Sequence, residues 1–179
     1  MTTFSLRNAT LDDKPILEEV IAESARGLSR QDYTDEQIEA CLGNAFGVDT
    51  QLIRDKTYFV VEADGEIAAC GGWSKRKTLF GADTRPGREP ELLDPAHDAA
   101  KIRAFFVRPA WARQGIGRLL LERCEAEARA AGFQNAELMA TLPGRRLYKA
   151  LGYVGDEPIQ YDLGKGISIE FVPMGKELA

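Results

Sequence analysis

Apolar residues recur along this chain with two periods, and the switches between them outline its elements. Residues 4–9 alternate, which predicts a short first strand. Ile16, Leu17, Val20, Ile21 and Leu28 then recur at helical spacing, with Thr10 or Asp12 as a cap and Pro15 in the first turn. Thr34-Asp-Glu-Gln37 is a capping-box pattern and predicts a second helix, with Ile38, Cys41, Leu42 and Ala45 on its apolar face. Residues 57–61 and 67–73 read as strands on either side of Asp64-Gly65, a two-residue hairpin signal.

Between residues 75 and 98 lies a stretch rich in glycine, proline and charge. A loop this long is either a lid or binding loop, or a surface insertion. Residues 102–107 form a strand that stops at Arg108-Pro109. Residues 115–131 form a helix with Ile116, Leu119, Leu120 and Cys124 inward, closed by Gly132. A strand at 136–141, a short helix at 145–151 opened by Pro143 and closed by Gly152, and a hairpin of 160–163 with 167–172 complete the pattern. The order is strand, two helices, hairpin, β-α-β-α, hairpin. It predicts one mixed α/β domain over residues 1–179, with no repeat or linker.

Composition narrows the function classes. A chain of 179 residues can bury about 70% of its unfolded surface and needs no disulfide or structural metal. Cys41, Cys70 and Cys124 are far apart, each inside an apolar pattern, and His97 is the only histidine, so no metal site is expected. No apolar run approaches the ~20 residues of a membrane span. The opening residues lack the features of a signal peptide, and unpaired cysteines fit the cytoplasm. A net charge of −5 opposes nucleic-acid binding.

Against that acidic background, residues 101–121 carry five basic side chains and no acidic one. They surround a strand that feeds a tight turn, where Gly115 and Gly117 open directly into an amphipathic helix. The first amides of such a helix lack internal partners and sit at the positive end of its dipole, and glycine lets a phosphate approach the backbone. The bland alternative is a glycine pair that permits close helix–strand packing, with solvated arginines around it. Two nucleotide patterns are excluded: GxxxxGK[ST] is absent, and Leu120 fills the third glycine position of GxGxxG.

Two segments resemble the GNAT N-acetyltransferase superfamily. Val107-Arg-Pro-Ala-Trp-Ala-Arg-Gln-Gly-Ile-Gly-Arg118 is similar to its acetyl-CoA motif, Q/R-x-x-G-x-G/A. Arg146-Leu-Tyr-Lys-Ala-Leu-Gly-Tyr153 resembles its later x-Y-x-x-x-G-[FY] helix. The first motif position is Ala112 here, so a side-chain contact to pyrophosphate is missing and Arg113 stands next to the gap.

The resemblance implies a mostly antiparallel sheet flanked by helices, and acetyl-CoA as donor. It also implies that main-chain groups of Phe105, Phe106 and Val107 bind the pantetheine arm. The amides of Arg113, Gln114, Gly115, Ile116, Gly117 and Arg118 would bind the pyrophosphate, and Tyr148 would protonate the departing thiolate. The implied acceptor is a primary amine of a small molecule, attacking the thioester directly. Trp73, Phe80, Tyr33 and Tyr161 are the aromatics placed to line an acceptor pocket, and Trp73, at a strand end beside the long loop, is the first choice among them for substrate binding. Glu19, Glu23, Glu137 and Glu170 are candidates for the base. A non-catalytic acyl-CoA sensor, an enzyme acting on a protein amine, and a phosphate or nucleotide binder unrelated to CoA are the other classes. A homodimer through sheet edges or the final hairpin is compatible with the pattern.

Overall fold

In the computed structural model, which describes residues 2–178, seven strands form one open sheet. They are β1 (Ser5–Asn8), β2 (Tyr58–Ala63), β3 (Glu66–Ser74), β4 (Ala100–Val107), β5 (Asn135–Thr141), β6 (Ile159–Gly164) and β7 (Ile167–Glu177). Their order across the sheet is β1-β2-β3-β4-β5-β7-β6. The helices are α1 (Lys14–Leu28), α2 (Asp35–Cys41), α3 (Thr50–Arg54), α4 (Ile116–Ala130) and α5 (Arg145–Ala150). The expected mixed α/β architecture, mostly antiparallel, is what forms.

The local signals act as expected. The Thr34 hydroxyl accepts from the Gln37 amide and the Gln37 side chain returns to the Thr34 amide, so both arms of the capping box are made. Asp64 and Gly65 take φ values of 51° and 81°, the two left-handed residues that a tight hairpin turn requires.

At helix edges the periodicity overreaches: Ile16, Leu28 and Leu119 are exposed, and α2 ends at Cys41, before Leu42 and Ala45. Two further elements depart from it altogether. α3 is too short to show a period; its Asp49 cap, which accepts from the Gln51 amide, is its main local determinant. β7 runs past Pro173, where a strand would be expected to stop. Its pairing with β6 ends at Phe171 and its outer side is next bonded at Gly175, by Val154, so at Pro173 no strand faces the outer side and a missing amide costs little.

α4 and α5 pack on one face of the sheet and α1, α2 and α3 on the other, giving two separate cores. Leu120, Leu121, Cys124, Ala128 and Phe133 belong to the first, and Leu17, Ile21, Ile38, Phe46, Leu52 and Phe171 to the second. All three cysteines are buried among them.

Among the described strands β4 and β5 are the only parallel neighbours, because the α4 crossover joins them. They pair only at Ala100–Ala136 and Lys101–Glu137, and then diverge. Just beyond the last of these pairs a β-bulge against β3 bends β4, where Ala104 is left-handed with φ 54°. Such a conformation costs a non-glycine residue about 1–2 kcal/mol. The Tyr58 hydroxyl, buried beneath the sheet, donates to the Ala104 carbonyl at 2.7 Å and helps hold the bend. The opening between β4 and β5 makes a slot through the sheet.

Residues 75–98 form an ordered loop. Arg103 of β4 is 2% exposed and donates to Asp49 at 3.0 Å, to the Gly81 carbonyl at 2.9 Å and to the Thr78 carbonyl at 3.2 Å. Arg88 of the loop meets the other Asp49 oxygen at 2.7 Å and also donates to the Ala82 carbonyl. One buried carboxylate with two guanidinium groups thus fastens the loop to β4 and to the start of α3.

Candidate functional site

The slot widens into a cleft of about 730 Å³, within the range of small-molecule and cofactor sites. It passes from one face of the sheet to the other. Strand alternation divides its walls: Phe105 and Val107 pack with the α4-side core, and Phe106 with the α1-side core.

On the α4 side, Ile116, Leu120 and Leu121 anchor the first turns of α4 against the sheet, which holds the helix N-terminus over the cleft. Gly115 caps it with φ 83°, and a Cβ there would find nothing within 4 Å. The site is therefore open on its ligand side, and a positive φ favours glycine for conformational reasons alone. Arg113 is left-handed too, at φ 60°. Arg113, Gly115, Ile116, Gly117 and Arg118 line the cleft, as do Phe105, Phe106 and Val107; exposed Gln114 does not. From Ile102 onward the slot-side edge of β4 has no strand partner, and the Val107 amide donates to Ser24 Oγ of α1 at 3.2 Å. A helix N-terminus with free first-turn amides, two flanking cations and an extended strand edge suits a diphosphate with an amide-bearing tail.

The basic stretch read from the sequence is narrower in space than along the chain. Arg103 is consumed by Asp49, Lys101 pairs with Glu137, and Arg108 pairs with Glu23. Only Arg113 and Arg118 of the five stand at the turn, and Arg118 also meets Glu122 at 2.8 Å. α5 adds Arg145, Arg146 and Lys149 to the cleft walls.

Tyr148 of α5 lines the same cleft and is 9% exposed. Its ring lies 6.2 Å from that of Phe105 and 5.9 Å from that of Tyr153. Tyr153 is held in turn, its hydroxyl donating to the buried Glu125 at 2.9 Å, where Lys176 also donates at 3.0 Å. Among the described residues the Tyr148 hydroxyl makes no hydrogen bond. Burial pushes its phenol above the ordinary range, so the proton stays on oxygen at neutral pH.

Trp73 does not join this group. It is 4% exposed in the α4-side core, 5.9 Å from Phe133, with its indole nitrogen donating to Glu127 at 3.2 Å. β3 is an interior strand covered on both faces, so its position beside the long loop did not decide which way the indole points. The long loop reaches the cleft through Phe80 and Gly81 instead. None of Glu19, Glu23, Glu137 and Glu170 lines the cleft; Asp32, just beyond α1, is the carboxylate that does. No local pattern marked Asp32, since only the packing of α1 against β4 brings it there. Among the described residues no cluster could hold a metal ion, and no helix is long and apolar enough to cross a membrane.

The same architecture occurs in known structures. The GCN5-related N-acetyltransferase of Rhodopseudomonas palustris matches with a TM-score of 0.73 at 19% identity, over 98% of this chain and 96% of that one. The yncA protein of Salmonella typhimurium, solved with its cofactor acetyl-CoA, matches at 0.65 and 17% identity, over 99% and 95%. The PaiA N-acetyltransferase of Thermoplasma acidophilum, in complex with coenzyme A, matches at 0.63 and 15% identity, over 98% and 99%. At such identities the likeness is one of fold. By sequence the chain matches no curated protein. The sequence profile of the acetyltransferase (GNAT) family, however, matches residues 18–153, and with it the glycine turn, the split strands and the Tyr148 helix: this chain belongs to the acetyltransferase (GNAT) family.

Proposed function

We propose that the protein transfers the acetyl group of acetyl-CoA to a primary amine of a small-molecule acceptor, by direct attack of the amine on the thioester. The observation that carries this reading is the slot between β4 and β5. It joins a phosphate-ready helix N-terminus on one face of the sheet to a second chamber on the other, with Tyr148 beside the passage. A donor and an acceptor entering from opposite faces would meet there without exchanging places.

Bound acetyl-CoA supplies an activated acyl carbonyl. The amides of residues 113–118 hold the pyrophosphate, with Arg113 and Arg118 adding charge in place of the side chain that Ala112 lacks. The free edge of β4 at Phe105, Phe106 and Val107 aligns the pantetheine arm, with Ser24 Oγ yielding or sharing the Val107 amide. Tyr148 Oη would keep its proton until the thiolate departs and then deliver it to sulfur, and the proton shed by the attacking nitrogen would return to the phenolate through solvent at the open cleft. The low-polarity surroundings that hold the phenol neutral also raise the basicity of the thiolate, which favours that transfer. The apolar walls limit water near the carbonyl and so favour attack by the amine over hydrolysis.

The direct test is thiol release from acetyl-CoA, with and without a panel of primary amines. Amine-dependent release is expected. If the protein binds CoA tightly yet neither small amines nor peptides provoke release, it is a binding module and the transferase reading fails.

A further inference from the structure

The chamber on the α1 face of the sheet has a composition of its own. Phe46, Phe80, Phe106 and Phe171 line it, together with Met139 and Leu142. The rings form a continuous wall. Phe46 lies 5.8 Å from Phe106 and 6.2 Å from Phe171, and Phe80 lies edge-on to Phe171 at 5.6 Å. These residues come from the segment after α2, the 75–98 loop, β4 and β7, so no single element accounts for the cluster.

Phe80 is fixed from two sides. The Arg85 guanidinium stacks over its ring at 3.8 Å and donates to its carbonyl at 3.1 Å. The Asp49–Arg103–Arg88 cluster binds the carbonyls of Thr78, Gly81 and Ala82 around it. Even so, Phe80, Phe106, Met139 and Leu142 stay half-buried, with apolar surface turned to the cleft. A wall held rigid and left partly uncovered is what an apolar ligand would bury.

Charge divides the cleft as well. Its lining cations are Arg113, Arg118, Arg145, Arg146 and Lys149, all from the glycine turn and α5, and its one lining carboxylate is Asp32. Arg145 turns its Nε to the Leu142 carbonyl at 3.3 Å. Asp32 is exposed and can draw an ammonium group inward, but it has no second carboxylate behind it to receive another cation. A polyamine would therefore desolvate an unpaired charge against the phenylalanines.

We propose that the acceptor is a primary amine carried on a compact aromatic body, seated against Phe80 and Phe106, with Phe46 and Phe171 buried behind them. This rests on the acetyl transfer proposed above and adds its substrate class. The amine nitrogen would reach the slot while the ring stays in the chamber. Selectivity then comes from burying the ring rather than from hydrogen bonds to it.

The test uses 2-phenylethylamine, spermidine, glycinamide and a tetrapeptide with a free N-terminus. Binding to the CoA-loaded protein is measured by calorimetry, and thiol release from acetyl-CoA is measured in parallel. The kcat/KM for 2-phenylethylamine should exceed that for each of the others by about 100-fold, the scale on which an apolar pocket discriminates. Phe80→Ala should lose roughly tenfold of that preference while its CoA affinity holds. Preference for spermidine, glycinamide or the peptide, or an unchanged preference in Phe80→Ala, overturns the substrate class and leaves acetyl transfer standing. Saturable binding of 2-phenylethylamine with no thiol release from any amine instead overturns the transferase reading and leaves the aromatic site. Failure of 2-phenylethylamine to bind while CoA does overturns the aromatic site.

Discussion

Replacing Gly117 with glutamate should separate stability from cofactor binding. Gly117 is the second residue of α4 and lines the cleft. A Cβ built there meets Leu147 Cδ2 at 2.8 Å, and that atom is the end of a flexible side chain that can rotate away. Against this small cost, exchanging glycine for a better helix former gains up to about 1 kcal/mol. A carboxylate in the first turn gains about 0.3–1 kcal/mol from the helix dipole. The melting temperature should hold or rise by a few degrees, at about 2–4 °C per kcal/mol for a chain of this size.

Binding should move the other way. A carboxylate about 5 Å from a phosphate charge, at an effective dielectric constant near 20, is repelled by about 3 kcal/mol. Solvent on the open side of the cleft trims this, and the expected rise in the CoA Kd is about 100-fold. Calorimetry on wild type, Gly117→Ala and Gly117→Glu, with melting curves for each, measures both quantities. A Gly117→Glu protein that binds CoA within threefold of wild type would refute the assignment of the turn to the pyrophosphate. If Gly117→Ala loses as much affinity as Gly117→Glu, packing against Leu147 and not charge is responsible.

Two further perturbations probe other parts of the site. Tyr148→Phe should lower kcat about 100-fold, within the usual range for losing a general acid, and shift the CoA Kd by less than a factor of two; equal losses in both would make Tyr148 a packing residue. Asp49→Ala leaves Arg103 buried without its carboxylate and should cost about 3–5 kcal/mol, the usual penalty for orphaning a buried charge. Urea titration reads that cost, and a loss under about 1 kcal/mol would mean that the cluster does not hold the 75–98 loop.

Much of the fold was legible because its signals are local. A capping box needs four consecutive residues, a tight hairpin needs Asp64 and Gly65, and an anion-ready helix start needs Gly115 and Gly117 just ahead of an apolar stripe. Each works through backbone geometry or hydrogen bonds spanning one turn, so the residues that cause it are also its neighbours in sequence. The length of β7 escaped this reading because a proline ends a strand only where its missing amide is needed. Whether it is needed at Pro173 depends on where β6 begins, at Ile159 opposite Phe171.

The site was legible in its halves but not as a whole. By itself the sequence determined the glycine turn, the strand before it and the helix carrying Tyr148. Only the tertiary structure decided that β4 and β5 part after two residue pairs and open a passage between two cores. Packing also took Arg103 out of the basic stretch to bind Asp49, and turned Trp73 into the core although it stands at a strand end. The same packing gathered Phe46, Phe80, Phe106 and Phe171 into the cleft that Asp32 also lines. The physical reason is common to all of these. Which face a side chain takes, and which charges meet when buried, depends on contacts between elements far apart in the chain, and no local period encodes them.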